Sequence, residues 1–394
     1  MTQLQNKYNK NGMHSQKIIS RDLITRIHDR LFLGKALILL GPRQSGKTTM
    51  IKEVLRIADV KYLTLNADEP DVRDLLQEAT STRLRTFIGN NKIVFIDEAQ
   101  RIANIGLTLK LLIDEIPDIQ VIATGSSSLE LNSSIAEPLT GRKFQFNLLP
   151  LSFSELASYH GLLKERRFLE HRMVYGSYPD IVTSTGQEEE LLRLLADSYL
   201  FKDLLNLEGI KKPALLEKIV KALALQLGSE VSFQEIGRLV GADSHTVERY
   251  IDLLEKAFVL FRLPSYNRNV RNEIKKGRKI YFFDNGIRNA MIGNFLPVNK
   301  RTDTGALWEN YLVSERFKIL ANKGINAASY FWRTSQQQEI DYIEEQNQMF
   351  LACEFKWNPT KKKSFPATFQ RAYPEADLRL ITPEDYDQFL TEFE

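Results

Sequence analysis

Cysteine is almost absent. A single Cys353 in 394 residues excludes an internal disulfide and an all-cysteine metal site. Histidine is nearly as scarce, and the five present are scattered without zinc-ligand spacing. A reducing cytoplasm fits this usage. No apolar run is long enough to cross a bilayer, ALILL at 36–40 being typical of the longest. The start, MTQLQNKYNKNGMHSQK, lacks the apolar centre of a signal peptide. We therefore expect no membrane span and no secretion. Nor does one charge dominate: 53 Lys and Arg against 50 Asp and Glu leave a formal net charge of +3, unlike a protein that coats nucleic acid. Any polyanion site must be local.

What is present is ordinary globular material, 43% hydrophobic and 26% charged, in a chain long enough for two or three domains. Residues 1–17 are rich in Asn, Gln and Lys and read as a flexible arm. From 18 to 150, short apolar runs (KALILL, KYLTL, KIVFID, IQVIAT) alternate with amphipathic helical stretches. That pattern predicts an α/β domain with a parallel sheet covered by helices. Residues 151–227 turn helical, opening with a capping box from Ser152 to Glu155 and broken at Gly176 and Pro179. Residues 228–300 carry two helices joined at VGAD, then the strands FVLFRL and KIYFF around a basic connection, the order of a winged helix-turn-helix. Residues 301–394 hold one long helix, strands and a final helix.

The sharpest motif is GPRQSGKTT, comprising Gly41, Pro42, Arg43, Gln44, Ser45, Gly46, Lys47, Thr48 and Thr49. It satisfies the phosphate-loop pattern G-x-x-x-x-G-K-[ST] between a strand and a helix, which puts turn amides and a helix N-terminus around a phosphate. In that frame Lys47 reaches the β- and γ-phosphates of ATP, and the Thr48 hydroxyl ligates Mg²⁺. KIVFIDEAQ delivers two acids at a strand end: Asp97 to hold the magnesium, and Glu98 as general base toward the attacking water. After the strand IQVIAT, the hydroxyls of Thr124 and Ser126 are candidate γ-phosphate sensors. A simple turn accounts for them equally well. Arg142 in LTGRKFQF is a candidate for transition-state charge, in cis or from a neighbouring subunit, and reads equally as a surface arginine.

In this order GPRQSGKTT, FIDEAQ, ATGSSS, LTGR, LLPLSFSEL, YGSYPD and FFDNG resemble the prokaryotic AAA-like P-loop ATPases that end in a domain of unknown function, DUF4143. The resemblance spans nearly the whole chain after residue 18. It implies an additional-strand P-loop core with ATP and Mg²⁺, and says little about the biological task.

Two further regions suit nucleic acid. The second helix of the helix-turn-helix exposes His245, Thr246 and Arg249, together with Glu248. The connection after it has six basic residues against one acid between Arg268 and Lys279, with Arg268, Arg271, Lys275 and Lys276 the candidate DNA contacts. In EIDYIEEQNQMFLACEFKW, a two-residue turn at Asn347 and Gln348 pairs Gln346 with Met349 and sets Asp341 opposite Glu354. Lys356 then shares their face. Two acids and a lysine on one face resemble the PD-(D/E)XK nuclease core, which implies a Mg²⁺ site and adds an acid from the preceding helix, Glu309 in LWENYL. A structural salt-bridge cluster fits the same geometry.

These readings predict an ATPase whose cycle is coupled to DNA. Two alternatives stand beside it: a nucleotide-dependent switch or scaffold with a protein partner and an inactive nuclease-like domain, and an ATP-gated nuclease. A Walker site with an unshared arginine is compatible with homo-oligomers.

Overall fold

In a computed structural model, the chain is described for residues 18–391, apart from 78, 127–134, 136, 199–211, 267–276 and 361–364. The arm 1–17 and the basic residues Arg268, Arg271, Lys275 and Lys276 lie outside the described residues.

The apolar runs of the first region become five parallel strands: β1 (Ala36–Leu40), β2 (Tyr62–Asn66), β3 (Ile93–Asp97), β4 (Gln120–Gly125) and β5 (Lys143–Asn147), in the order β2-β3-β4-β1-β5. β4 is inserted between β1 and β3, the additional strand that the resemblance implied. β1 and β4 are buried along their whole length. Both faces are covered by helices, which is why these strands read as unbroken apolar runs rather than as alternation. Because all five strands run the same way, the loop after β1 and the ends of β3 and β4 gather at one sheet edge.

The helical stretch begins with the expected capping box. Ser152 Oγ accepts from the Glu155 amide at 3.3 Å, and Glu155 Oε2 accepts from the Ser152 amide at 2.9 Å. Gly176 follows the helix Leu169–Tyr175 at φ +70°, and a β-carbon there would collide with the Asp284 carboxylate. The Asp284 carboxylate takes the Ser177 amide at 2.7 Å and caps the helix Asn285–Ile292 through the Ile287 amide at 3.1 Å.

The next unit combines the helices Pro213–Leu225, Phe233–Val240 and Ser244–Lys256 with β6 (Glu230–Val231), β7 (Leu260–Pro264) and β8 (Arg278–Phe282). The three strands form an antiparallel sheet in the order β6-β8-β7. The last region runs from the long helix Thr304–Lys323 through β9 (Ala328–Arg333), β10 (Glu339–Gln346) and β11 (Met349–Phe355) to the helix Ala367–Ala372 and β12 (Asp377–Ile381). β9, β10 and β11 are antiparallel, and β12 is parallel to β11. Asn347 and Gln348 turn the hairpin with φ of +51° and +67°, the paired left-handed turn that suits strand twist, and Gln346 pairs with Met349.

These regions share one apolar core, running from Ile38 and Ile96 through Met173 and Val220 to Trp308 and Phe389. Buried charges cross the same seams. Lys318 of the long helix donates to Glu315 Oε1 at 2.7 Å and Ser177 Oγ at 2.9 Å, while Glu315 Oε2 accepts from the Phe153 amide at 2.6 Å.

Candidate functional site

The loop from Gly41 to Gly46 wraps the N-terminus of the helix Lys47–Ala58. Gly46 holds φ +91°, a conformation open to glycine, and Gln44 is left-handed at φ +58°. Alternating handedness of this kind turns successive amides toward one point and makes an anion nest. Gly41 is required for a different reason: a β-carbon would run into the Leu148 carbonyl at the end of β5. Lys47 is 6% exposed and donates to the Gly41 and Pro42 carbonyls at 2.9 Å each, so its ammonium lies along the loop.

Asp97, at the tip of β3, is braced from both sides. Oδ2 accepts from Thr48 Oγ1 at 2.8 Å, and Oδ1 accepts from Thr124 Oγ1 at the tip of β4. The Thr124 hydroxyl also takes the Glu98 amide at 3.3 Å. Glu98 itself is left-handed at φ +52°, a strained state for a residue with a β-carbon. Its carboxylate accepts from Gln100 Nε2 at 2.6 Å, and the same amide reaches Ser126 Oγ at 3.0 Å. Gln100 Oε1 is buried without a hydrogen-bond partner. The residues thus suit Mg²⁺–nucleotide: a nest of amides and a lysine for the phosphates, and an oxygen pair, Thr48 and Asp97, for the cation.

Some expectations change. Thr124 and Ser126 both reach the site: the Thr124 hydroxyl donates to Asp97, and the Ser126 oxygen accepts from Gln100, which leaves its own proton for another acceptor. Arg142 does not reach the site. Its carbonyl accepts from the amide of Ala36, the first residue of β1, and its side chain pairs with Asp114 at 2.8 Å. With β1 five residues long, that is the opposite sheet edge, about 16 Å from the loop. A role in cis is therefore excluded by geometry.

Arg21, which no sequence pattern marked, and Gln100, which closes the FIDEAQ motif without having been given a role, carry parts of the site. Arg21, 7% exposed, donates to the Ser45 carbonyl inside the loop at 2.7 Å, to the Leu149 carbonyl at 2.6 Å and to Glu155 at 2.9 Å. It ties the phosphate loop to the capping box of the next region.

On the helix Ser244–Lys256, His245 and Arg249 are exposed. The amide and hydroxyl of Thr246 are both taken by Asp243, at 2.8 and 2.7 Å. Glu248 faces Arg278 at 3.7 Å.

Three of the four C-terminal candidates meet, Asp341, Glu354 and Lys356, while the contacts of Glu309 are to β8. Lys356 Nζ lies 3.0 Å from Glu354 Oε2 and 3.6 Å from Asp341 Oδ2, and the Phe355 amide donates to Asp341 at 2.9 Å. Burial lowers the Lys356 pKa, and the carboxylates of Asp341 and Glu354 more than offset this, holding it above the ordinary lysine value. Glu309 stands on the long helix facing β8, where Lys279 donates to it at 2.9 Å and the Tyr281 hydroxyl at 2.5 Å. Burial, helped by the charge of Asp341 and opposed by Lys279, pushes Glu309 up to about 7. Lys279 also pairs with Glu339 at 2.5 Å. Lys279 and Tyr281 were not legible as partners, because β8 lies far from the hairpin in sequence. Among the described residues no three His, Cys, Asp or Glu are arranged to hold a metal ion.

The fold and loop are those of a P-loop nucleotide-binding protein, and the comparisons add to this. Residues 33–157 match the family model of an AAA domain. Residues 166–297 match a domain of unknown function (DUF8612), and residues 304–393 match another (DUF4143). An uncharacterized protein of Mycobacterium tuberculosis is 28% identical over 335 residues, covering 82% of this chain and 71% of the relative. An uncharacterized protein of Methanocaldococcus jannaschii is 22% identical over 406 residues, covering 94% and 86%. Among solved structures, a Walker-type ATPase of Pyrococcus abyssi is similar with a TM-score of 0.47 and 16% identity, covering 70% of this chain and 96% of that one. The Aeropyrum pernix ORC1 protein in complex with DNA has a TM-score of 0.31 and 13% identity, covering 69% and 91%. Among the described residues no helix is long and apolar enough to cross a membrane.

Proposed function

We propose that this protein is a Mg²⁺-dependent ATPase of the cytoplasm whose hydrolysis cycle is coupled to DNA. The observation that carries the ATPase reading is the bracing of Asp97 by Thr48 from the loop and Thr124 from the inserted strand, with Glu98 one residue on. Bound Mg²⁺ neutralises phosphate charge. The chain's own residues do the rest. The loop amides and Lys47 receive the phosphates, and Thr48 and Asp97 offer oxygens to the cation. Glu98, once released from Gln100, accepts a proton from the attacking water. Arg142 meets a nucleotide only on a neighbouring copy, so any role for it requires an oligomer.

DNA contact rests on His245 and Arg249 at the start of the second helix of the helix-turn-helix, together with the basic residues that follow later in the sequence. A second reading, a nucleotide-dependent switch that docks a protein, is favoured by the acids Asp243 and Glu248 on that same helix end, which repel phosphate.

The deciding experiment is ATP turnover by the purified protein with and without duplex and single-stranded DNA, using Glu98→Gln as the blank. Turnover that the blank lacks and DNA stimulates supports the coupled ATPase. Slow turnover that DNA leaves unchanged favours the switch, and Glu98→Gln turning over like wild type removes Glu98 from its role.

A further inference from the structure

The nuclease resemblance implies a divalent cation among Glu309, Asp341 and Glu354, and the residues present do not fit one. Lys279 is 1% exposed and its ammonium sits between Glu309 Oε1 at 2.9 Å and Glu339 Oε1 at 2.5 Å. The oxygen of Glu309 that it engages also accepts from Tyr281. The two remaining acids are likewise taken: Glu354 by Lys356, and Asp341 by Lys356 and the Phe355 amide. A metal needs these oxygens turned inward on a shared point with open positions, and here two ammonium groups already fill that role.

Lys279 is not a mobile plug. It lies in the middle strand of its sheet, paired across to Glu230 of β6 and Leu263 of β7. Three residues on, β8 is fastened to the long helix by Asn310, which accepts from the Phe282 amide at 2.7 Å and donates to the Phe282 carbonyl at 3.0 Å. Arg333 of β9 adds contacts to Glu230 at 3.5 Å and Glu339 at 3.7 Å. The acids of the C-terminal sheet and the strand of the winged unit are therefore held against each other by the same charges.

We propose that Lys279 takes the place of the divalent cation: its ammonium is a protein-supplied counter-ion that bridges Glu309 and Glu339, closes the acid cluster to metal, and makes it the joint between the winged-helix unit and the C-terminal sheet.

The test is Mn²⁺ binding by electron paramagnetic resonance, with thermal unfolding in parallel, on the full chain without nucleotide. Any Mn²⁺ at Thr48 and Asp97 is common to all samples and cancels. Wild type and Asp341→Asn should bind the same amount of Mn²⁺, and millimolar Mn²⁺ should shift their Tm equally. Lys279→Met should melt several degrees lower and take up about one additional Mn²⁺ per chain, with part of the lost Tm restored. Adding Asp341→Asn to that variant should abolish both gains, while Lys279→Arg should behave as wild type. A wild-type Mn²⁺ site that vanishes in Asp341→Asn and in Glu354→Gln overturns the proposal. So does a folded Lys279→Met protein that takes up no additional Mn²⁺. Should Met not fold at this position, Lys279→Ala replaces it, and the comparison of wild type with Asp341→Asn decides alone.

Discussion

The molecule holds two clusters of acids at the ends of strands, and they differ in what answers them. At the phosphate loop, the partners of Asp97 are the hydroxyls of Thr48 and Thr124, and the partner of Glu98 is the amide of Gln100. These donors fix geometry without cancelling charge, and both acids are half-buried and open to solvent. In the C-terminal sheet the partners are the ammonium groups of Lys279 and Lys356. Here the charge is answered from within, and Glu354 is fully buried. A strand-end carboxylate thus becomes a place for a cation or a salt-bridged joint according to the charge of its partner, since a buried charge must be balanced and a second cation has nothing left to balance.

The largest effect that tests this contrast is catalytic. Glu98→Gln keeps the shape and the bond to Gln100 but removes the base, so ATP turnover should fall by about 10²–10⁴-fold while nucleotide binding persists. Turnover assays and equilibrium binding read the two halves separately. Next in size is a stability effect. Arg21→Ala leaves Glu155, fully buried, without its cation, so urea unfolding should show a loss of about 3–5 kcal/mol. ATP affinity should fall with it, because the Ser45 carbonyl is released from its anchor.

A smaller effect is one of pH. Glu309 is raised in the folded chain to about 7, above the roughly 4.3 of an unfolded glutamate. The folded state then binds the proton more tightly than the unfolded one, and this group's contribution to stability is full at low pH and declines as pH rises toward 7. Urea midpoints measured from pH 4.5 to 7.5 should show that decline in wild type and lose it in Glu309→Gln. The smallest effect concerns the exposed helix. Arg249→Ala should leave stability within about 0.5 kcal/mol and lower the salt slope of DNA binding by about one. An unchanged slope takes Arg249 out of the contact.

How much of this was legible in the sequence follows from how local each signal is. The five-strand sheet was readable because β1 and β4 are buried on both faces, so their runs are unbroken. The hairpin register was readable because Asn347 and Gln348 leave little choice of turn. Counting outward from it brought Asp341, Glu354 and Lys356 together, as their contacts now show. The contacts of Arg21 to Glu155 and of Lys279 to Glu309 bridge 134 and 30 residues, and no periodicity encodes such a distance. Arg142 shows the same limit from the other side. The pattern located it before a strand without revealing that a parallel strand starts at the edge away from the loop.

The buried seam between Ser177, Asp284 and Lys318 also sets an order of events during synthesis. Ser177 leaves the ribosome 141 residues before Lys318, which at about 5–20 residues per second is a wait of roughly 7–30 s. The Ser177 amide waits across 107 residues for Asp284, which fills the space beside Gly176. The Phe153 amide waits across 162 for Glu315. Throughout that interval the five-strand region is complete in sequence, but the Phe153 amide and Ser177 that follow it lack their partners, so a chain cut anywhere before the long helix exposes polar backbone and apolar core together.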